Sequence, residues 1–91
     1  MESIHLEVRG RVQGVGFRWY VMRIARDLGV AGWIRNRPDG IVELAAAGER
    51  AALTKLEAAV SAGPPGARVE EVRKLSGVAP DSLEVPFGIA R

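Results

Sequence analysis

The sequence predicts a single α+β domain with a ferredoxin-like split βαβ plan, in which two helices pack on one face of a four- to five-stranded antiparallel sheet. Its 91 residues give room for one modest core and not for a second domain. Apolar residues recur with the period of a strand or of a helix in the order βαββαβ. With right-handed crossovers, this order places both helices on the same face of the sheet. We therefore expect residues 1–91 to form one domain.

The first strand and the first helix follow from two different spacings. Ile4, Leu6 and Val8 alternate with polar residues, as in a strand that buries one face. From residue 17 onward the apolar residues recur at spacings of three and four, which is typical of one face of a helix. These residues are Phe17, Val21, Ile24, Ala25 and Leu28. Gly29 is a typical stop signal, so the helix is expected to end there.

A β-hairpin is predicted next, at residues 30–47. The segments "VAGWIRN" and "IVELAAA" are the two strands, and "RPDG" joins them. Pro38 fixes its own φ and the pair Asp39-Gly40 suits a chain reversal, so a tight turn is expected between the strands.

The second half of the chain predicts a helix and two shorter strands. Residues 49–62 carry one apolar face, and Gly63 followed by two prolines ends the helix. That face consists of Ala52, Leu53, Leu56, Ala59 and Val60. Val69, Val72 and Leu75 indicate a fourth strand with an irregular alternation, and residues 85–91 are expected to supply a short closing strand.

Composition and charge exclude several classes of function. The chain is 47% hydrophobic and 26% charged, and no apolar run approaches the ~20 residues that cross a bilayer. No export signal is visible at the N-terminus, so a cytoplasmic protein without a membrane partner is expected. A net charge of +2 is too small for a strong nucleic-acid footprint, and no nucleic-acid partner is expected. The absence of cysteine excludes disulfides, a thiolate nucleophile and cysteine-based metal sites.

The segment "RVQGVGFR", residues 11–18, predicts an anion site. It leads into the first helix, where about four backbone N–H groups lack a partner and the helix dipole is positive. Gly14 and Gly16 permit positive φ, so successive N–H groups can converge on one phosphate-sized ligand. The predicted phosphate cradle consists of Gln13, Gly14, Val15, Gly16, Phe17 and Arg18.

Arg18 strengthens this interpretation because its position is unfavourable without a ligand. A cation in the first helical turn opposes the dipole by about 0.3–1 kcal/mol unless an anion offsets both. Its planar guanidinium suits phosphate oxygens. Taken alone, the segment is also compatible with a tight strand-to-helix turn that leaves Arg18 on the surface.

Two segments together resemble a known family. "GRVQGVGFR" at residues 10–18 and "GWIRNRPDGIVE" at residues 32–43 are similar to the two signature segments of the acylphosphatases. The chain length, the element order, "PPGARVEEV" and the closing "FGIAR" resemble that family as well. One departure is Ala90, which stands where members commonly carry an arginine.

The resemblance implies a hydrolase that converts an acyl phosphate to a carboxylate and inorganic phosphate, without a metal or an organic cofactor. In the family, the position matching Arg18 holds the phosphoryl group with the loop N–H groups, and the position matching Asn36 orients the attacking water. The implied partners are a small acyl phosphate as substrate and inorganic phosphate as product and inhibitor, and a monomer is expected. Without the resemblance, Asn36 would be interpreted as a turn residue.

The other candidate residues carry weaker signals. His5 lies on the polar face of the first strand without a second ligand nearby, so a solvated or hydrogen-bonded histidine is expected. Trp33 is expected to pack, whereas Trp19 is compatible with packing or with ligand contact. Arg35 and Arg37 flank Asn36, where they would either steer anions or form a solvated face.

Two other function classes share this fold. A non-catalytic module that binds phosphate or carbamoyl phosphate is an alternative, since acylphosphatase-like domains also occur inside larger maturation factors. Steady hydrolysis distinguishes an enzyme from such a module. An RNA-binding module of the same plan is disfavoured, because the aromatic and basic residues expected on its sheet are missing.

Overall fold

A computed structural model describes residues 1–90 and contains five strands and two α-helices. In chain order they are β1 (Glu2–Arg11), α1 (Phe17–Asp27), β2 (Ala31–Asn36), β3 (Val42–Gly48), α2 (Arg50–Ala62), β4 (Arg68–Lys74) and β5 (Gly88–Ile89). A single 3₁₀ turn, Pro80–Ser82, lies between the last two strands. The predicted α+β, ferredoxin-like plan is confirmed. Neither α-helix within these residues is long and apolar enough to cross a membrane.

The five strands form one sheet in the order β4-β1-β3-β2-β5. The first four pair antiparallel, as predicted, but β5 pairs parallel to β2 and makes the sheet mixed. The direction of β5 follows from the path of the chain. After β4 the chain passes the beginning of β1, where the Ser3 Oγ donates to the Val78 carbonyl at 2.5 Å. It therefore enters β5 from the end of the sheet at which β2 begins. The predicted closing segment 85–91 extends one residue beyond the described residues.

Both helices cover the same face of the sheet and enclose the core. Helix α1 packs over β2 and β5, whereas α2 packs over β1, β3 and β4. The largest buried side chains between the layers include Leu6, Val8, Ile34, Val42 and Leu44 from the sheet, Phe17 and Val21 from α1, Leu56 and Val60 from α2, and Phe87 ahead of β5. Full burial of a side chain of this size contributes about 1.5–3 kcal/mol relative to exposure.

A β-bulge explains the irregular alternation of the fourth strand. Arg9 of β1 pairs with Glu71, but the next residue, Gly10, pairs with Val69, so Glu70 has no partner in the ladder. The extra residue lets Val69 and Val72, three positions apart, both pack against the core. Gly10 has φ +129°, and a Cβ there would lie 2.1 Å from the Arg68 carbonyl oxygen. Only glycine fits this position of β1.

The sheet face opposite the helices holds two buried carboxylates. Glu7 and Glu43 lie directly across from each other in β1 and β3 and are 8% and 7% exposed. Arg37 pairs with Glu7, and Arg35 donates from Nε and Nη2 to the Glu43 Oε1 at 3.0 and 2.7 Å. The His5 Nε2 lies 2.6 Å from the other Glu43 oxygen. His5 is therefore a hydrogen-bonded histidine, as expected. Arg35 and Arg37 pair with the two carboxylates of this face and not with a ligand at the predicted phosphate cradle.

The pKa of Glu43 reflects these opposing influences. Burial acts to raise it, but hydrogen bonds and charge from Arg35 and His5 outweigh burial and hold the pKa below its ordinary value. A carboxylate with a lowered pKa in the folded state stabilises the protein above its unfolded pKa of about 4.3. That contribution is lost as the pH falls through the lowered pKa of the folded state.

Glu43→Gln should therefore destabilise the protein in a pH-dependent way. At pH 7 we expect the free energy of unfolding to fall by about 1–3 kcal/mol, because the charged hydrogen bonds from Arg35 are lost. The difference between variant and wild type should shrink as the pH falls below about 4. Urea unfolding of both proteins at pH 7 and at a pH below about 4 measures this difference.

Glu71→Gln is the control, since the exposed pair of Glu71 with Arg9 at 3.3 Å should contribute no more than about 1 kcal/mol. A Glu43→Gln effect of the same size at both pH values would contradict the role given to the charge.

Candidate active site

The loop between β1 and α1 presents free backbone donors at the start of the helix. Gly14 and Gly16 have φ of 75° and 76°, and Gly16 is the N-cap of α1. A Cβ at either glycine would meet nothing within 4 Å, so positive φ rather than crowding requires glycine here. No side chain caps the helix and no acidic residue lies in its first turn. Within residues 1–90, the backbone N–H groups of residues 14–18 donate no hydrogen bond.

Apolar side chains on both sides of the glycines hold the loop against the core. Val12 and Phe17 are each 1% exposed, and Val15 packs against the core from the loop itself. Of the predicted cradle residues, Phe17 therefore contributes its backbone and not its ring. Since Gly14 and Gly16 are exposed, the glycine backbone between these anchors is open to an approaching anion.

The Gln13 side chain ties this loop to the β2–β3 turn. Its Nε2 donates to the Arg37 carbonyl at 2.9 Å and to the Ile41 carbonyl at 3.1 Å. Those two residues also close the turn, because the Arg37 N–H donates to the Ile41 carbonyl at 2.8 Å. The sequence predicts a role only for the backbone N–H of Gln13. Its amide side chain fixes the loop relative to the strand that ends at Asn36.

Asn36 occupies a position of the sheet where an apolar residue would be expected. It ends β2 and pairs with Val42 of β3, which in turn pairs with Val8 of β1. Both valines are fully buried beneath the helices. The Asn36 Oδ1 is buried and accepts no hydrogen bond, and no other buried side-chain N or O atom in residues 1–90 lacks a partner. An unsatisfied buried acceptor costs about 1–3 kcal/mol, so this oxygen is suited to a ligand or a water.

Arg18 and Asn36 line the same cavity, of about 530 Å³. The other lining residues are Trp19, Met22, Arg26, Ile89 and Ala90. Ion pairs within residues 1–90 involve other arginines, so the Arg18 guanidinium is not neutralised there. The structure thus brings Arg18 and Asn36, the two predicted catalytic residues, to one cavity, whereas residues 13–17 of the predicted cradle do not line it.

The remaining aromatic candidates divide between this cavity and the opposite face of the sheet. Trp33 lies edge-on to His5, with ring centroids 6.0 Å apart, and the Arg35 guanidinium lies 5.6 Å from its ring centre. Trp33 does not line the cavity that holds Arg18. Trp19 does line it, and the sequence analysis left its role open. Met22 was missed, although its spacing of four residues from Arg18 places both on one side of α1.

A second cavity, of about 350 Å³, lies at the other end of the sheet, where β1 begins. Four of its lining side chains neutralise one another in pairs. Arg50 lies 3.0 Å from Glu2, and Lys74 lies 3.3 Å from Glu57. This cavity therefore offers no comparable free charge or unsatisfied buried atom.

Comparison with known proteins agrees with this geometry. The acylphosphatase family model matches residues 4–84. An acylphosphatase of Archaeoglobus fulgidus is 44% identical over 89 residues, which cover 96% of this chain and all of the relative. The crystal structure of acylphosphatase from Bacillus subtilis has a TM-score of 0.93 at 36% identity, over the full length of both chains.

A larger protein contains the same fold. The crystal structure of HypF from T. kodakarensis matches all of this chain with a TM-score of 0.85 and 28% identity, but the match covers only 12% of HypF. The family is assigned from the family model and from the relatives that match over their full length, and not from the partial match to HypF. The chain belongs to the acylphosphatase family, hydrolases that split the anhydride bond of acyl phosphates.

Proposed function

We propose that this chain hydrolyses acyl phosphates in the cavity between Arg18 and Asn36, with the phosphoryl group held by the 13–18 loop and the water oriented by Asn36. One observation carries the proposal. Asn36, whose buried Oδ1 has no hydrogen-bond partner within residues 1–90, lines the same cavity as Arg18, and the N–H groups at the start of the helix that carries Arg18 are unpaired within those residues.

The phosphate end of the substrate binds to the loop and to Arg18. Unpaired N–H groups and the positive end of the α1 dipole attract the same anion. The Arg18 guanidinium adds a permanent charge and two parallel donors. A bound phosphoryl group would therefore accept hydrogen bonds from the free N–H groups and offset the repulsion between Arg18 and the positive end of the helix dipole.

Asn36 positions the nucleophile. Its Oδ1 accepts a hydrogen bond from water, and its Nδ2 donates to a phosphate oxygen. Because the Gln13 amide holds the loop against the β2–β3 turn, the water and the phosphoryl group are held in a fixed relative geometry. Such positioning supplies much of the acceleration when two reactants must meet in line.

The reaction needs no protonated leaving group. The water oxygen forms a bond to phosphorus, and the bond between phosphorus and the acyl oxygen breaks, with its electron pair leaving on the carboxylate. The proton of the water passes to an oxygen of the phosphoryl group, which yields inorganic phosphate. Charge that develops on the phosphoryl oxygens in the loose transition state is stabilised by Arg18 and the loop N–H groups.

A hydrolysis assay with benzoyl phosphate tests the proposal. We expect steady turnover that a chelator does not change, and competitive inhibition by inorganic phosphate, which binds the same loop. A non-catalytic phosphate-binding module would bind phosphate without turnover. Activity lost with the chelator and restored by a divalent ion would contradict the proposed chemistry.

Arg18→Ala should impair binding and chemistry together. The guanidinium acts on the phosphoryl group in both the ground state and the transition state, so phosphate inhibition should weaken and kcat/KM should fall by at least ~10³. Steady-state kinetics with phosphate titration measures both. Arg23→Ala is the matched control, because Arg23 is an exposed arginine of the same helix that does not line the cavity. A similar loss in both variants would exclude a specific role for Arg18.

Asn36→Ala should separate chemistry from binding. The loop and Arg18 stay in place, so the inhibition constant of phosphate should remain within about tenfold while kcat falls by ~10² or more. Urea unfolding confirms that the variant is folded. A folded Asn36→Ala protein with wild-type turnover of benzoyl phosphate would overturn the water-positioning role, whatever the activity of Arg18→Ala.

A further inference from the structure

The cavity that holds Arg18 and Asn36 is lined by two chemically different kinds of side chain. Arg18, Asn36 and Arg26 supply polar groups, whereas Trp19, Met22, Ile89 and Ala90 supply apolar surface. A substrate with a charged phosphate and an apolar substituent would meet matching surface for both parts.

The exposure of Trp19 is not explained by the core. Its side chain is 61% exposed, and among the large hydrophobic residues described only Met1 and Val85 are more exposed. Four other residues of α1 are buried, so the helix packs on the sheet without this indole. Met22, one of these buried residues, follows Trp19 by three positions and Arg18 by four, so it neighbours both along the helix and lines the cavity with them. The indole is therefore available to a ligand held at Arg18.

The opposite wall of the cavity is fixed by one backbone and one side-chain hydrogen bond. Ile89 belongs to β5, and the N–H of the next residue, Ala90, donates to the Ile34 carbonyl at 2.8 Å. The Arg26 Nε donates to the Phe87 carbonyl at 2.7 Å and holds the chain ahead of β5 against α1. The methyl group of Ala90 fills little of the space between this wall and the helix.

We infer that the apolar surface formed by Trp19, Met22 and Ile89 is the acyl subsite and that Trp19 gives the enzyme a preference for aromatic acyl phosphates over small aliphatic ones. This inference rests on the proposed function, because Arg18 must hold the phosphoryl group. The acyl carbon is joined to phosphorus through one oxygen, so a benzoyl ring starts next to Arg18 and extends along Trp19 and Met22. An acetyl group is too short to cover the indole. Stacking on Trp19 acts on the aromatic acyl group only, whereas the phosphate end is common to all substrates.

The test is the ratio of kcat/KM for benzoyl phosphate to kcat/KM for acetyl phosphate, measured on one preparation of each variant. Trp19→Ala should lower this ratio by at least about fivefold, and Trp19→Phe should keep it within about twofold. Trp33→Ala is the matched control on the opposite face and should leave the ratio unchanged. Because both substrates are measured on the same protein, partial unfolding of a variant cancels in the ratio.

A binding measurement adds a readout that does not depend on turnover. Phenylphosphonate should inhibit wild type more strongly than methylphosphonate, and Trp19→Ala should reduce that difference. Inhibition by inorganic phosphate should stay within about twofold in this variant, because Arg18 and the loop are intact.

The outcomes distinguish this inference from the proposed function. If wild type hydrolyses neither substrate, the proposed function fails and the acyl subsite fails with it. If wild type hydrolyses both and Trp19→Ala leaves the ratio unchanged, only the acyl subsite is overturned. A preference for succinyl phosphate that survives Trp19→Ala and is lost in Arg26→Gln would show that Arg26 binds a carboxylate of the acyl group, and it would also overturn the aromatic acyl subsite.

Discussion

In β2, the side chains of Ile34 and Asn36 lie on the helix side of the sheet, whereas Trp33 and Arg35 lie on the open side, and the rest of the molecule depends on this alternation. It places Ile34 in the core and Asn36 at the edge of that core, next to α1. It places Arg35 against the buried Glu43. A register shift of one residue would move Asn36 to the open face and Arg35 into the core. The ion pairs of the open face and the core packing therefore enforce the register that the proposed site requires.

The proposed site joins two segments that are distant in the sequence and differ in local structure. Arg18 depends on a loop whose path requires positive φ at Gly14 and Gly16, whereas Asn36 depends on regular strand pairing. The Gln13 side chain connects them directly through the carbonyls of the β2–β3 turn. Gly14 and Gly16 have no side chain that could block the helix start, Val15 packs against the core, and the Gln13 amide is bonded to the turn. The uncapped helix start is the local departure from ideal helix stability that a bound phosphate would offset.

Most of the fold could be predicted from the sequence because its signals are local. Periodicity located both helices and the hairpin, and glycines marked where the helices end. The direction of β5 could not be predicted, since it depends on how the chain passes along the end of the sheet. The only sign of the β4 bulge in the sequence is the spacing of three residues between Val69 and Val72.

For the candidate site, the sequence predicts the two proposed catalytic residues but not the roles of the side chains around them. Arg18 was indicated by its position at a helix start and by the resemblance, Asn36 by the resemblance alone, and the structure places both on one cavity. The side-chain role of Gln13 and the exposure of Trp19 arise from tertiary contacts between segments. Nothing in the spacing of these residues indicates a hydrogen bond from Gln13 to Ile41, and although Trp19 lies off the apolar face of the helix, its place on the cavity is not readable from that spacing. Side-chain roles of this kind require coordinates.

The two-residue strand β5 also protects the sheet from other molecules. The β4 edge carries charged residues and a bulge, which discourage pairing with another chain. On the other edge, the segment before and through β5 satisfies the Gly32 N–H and the Ile34 carbonyl. If this segment detached, it would expose these groups of β2 and remove Ile89 and Ala90 from the cavity. One local opening would therefore both inactivate the site and create an edge for intermolecular strand pairing, so aggregation under mild stress would begin from molecules that are otherwise folded.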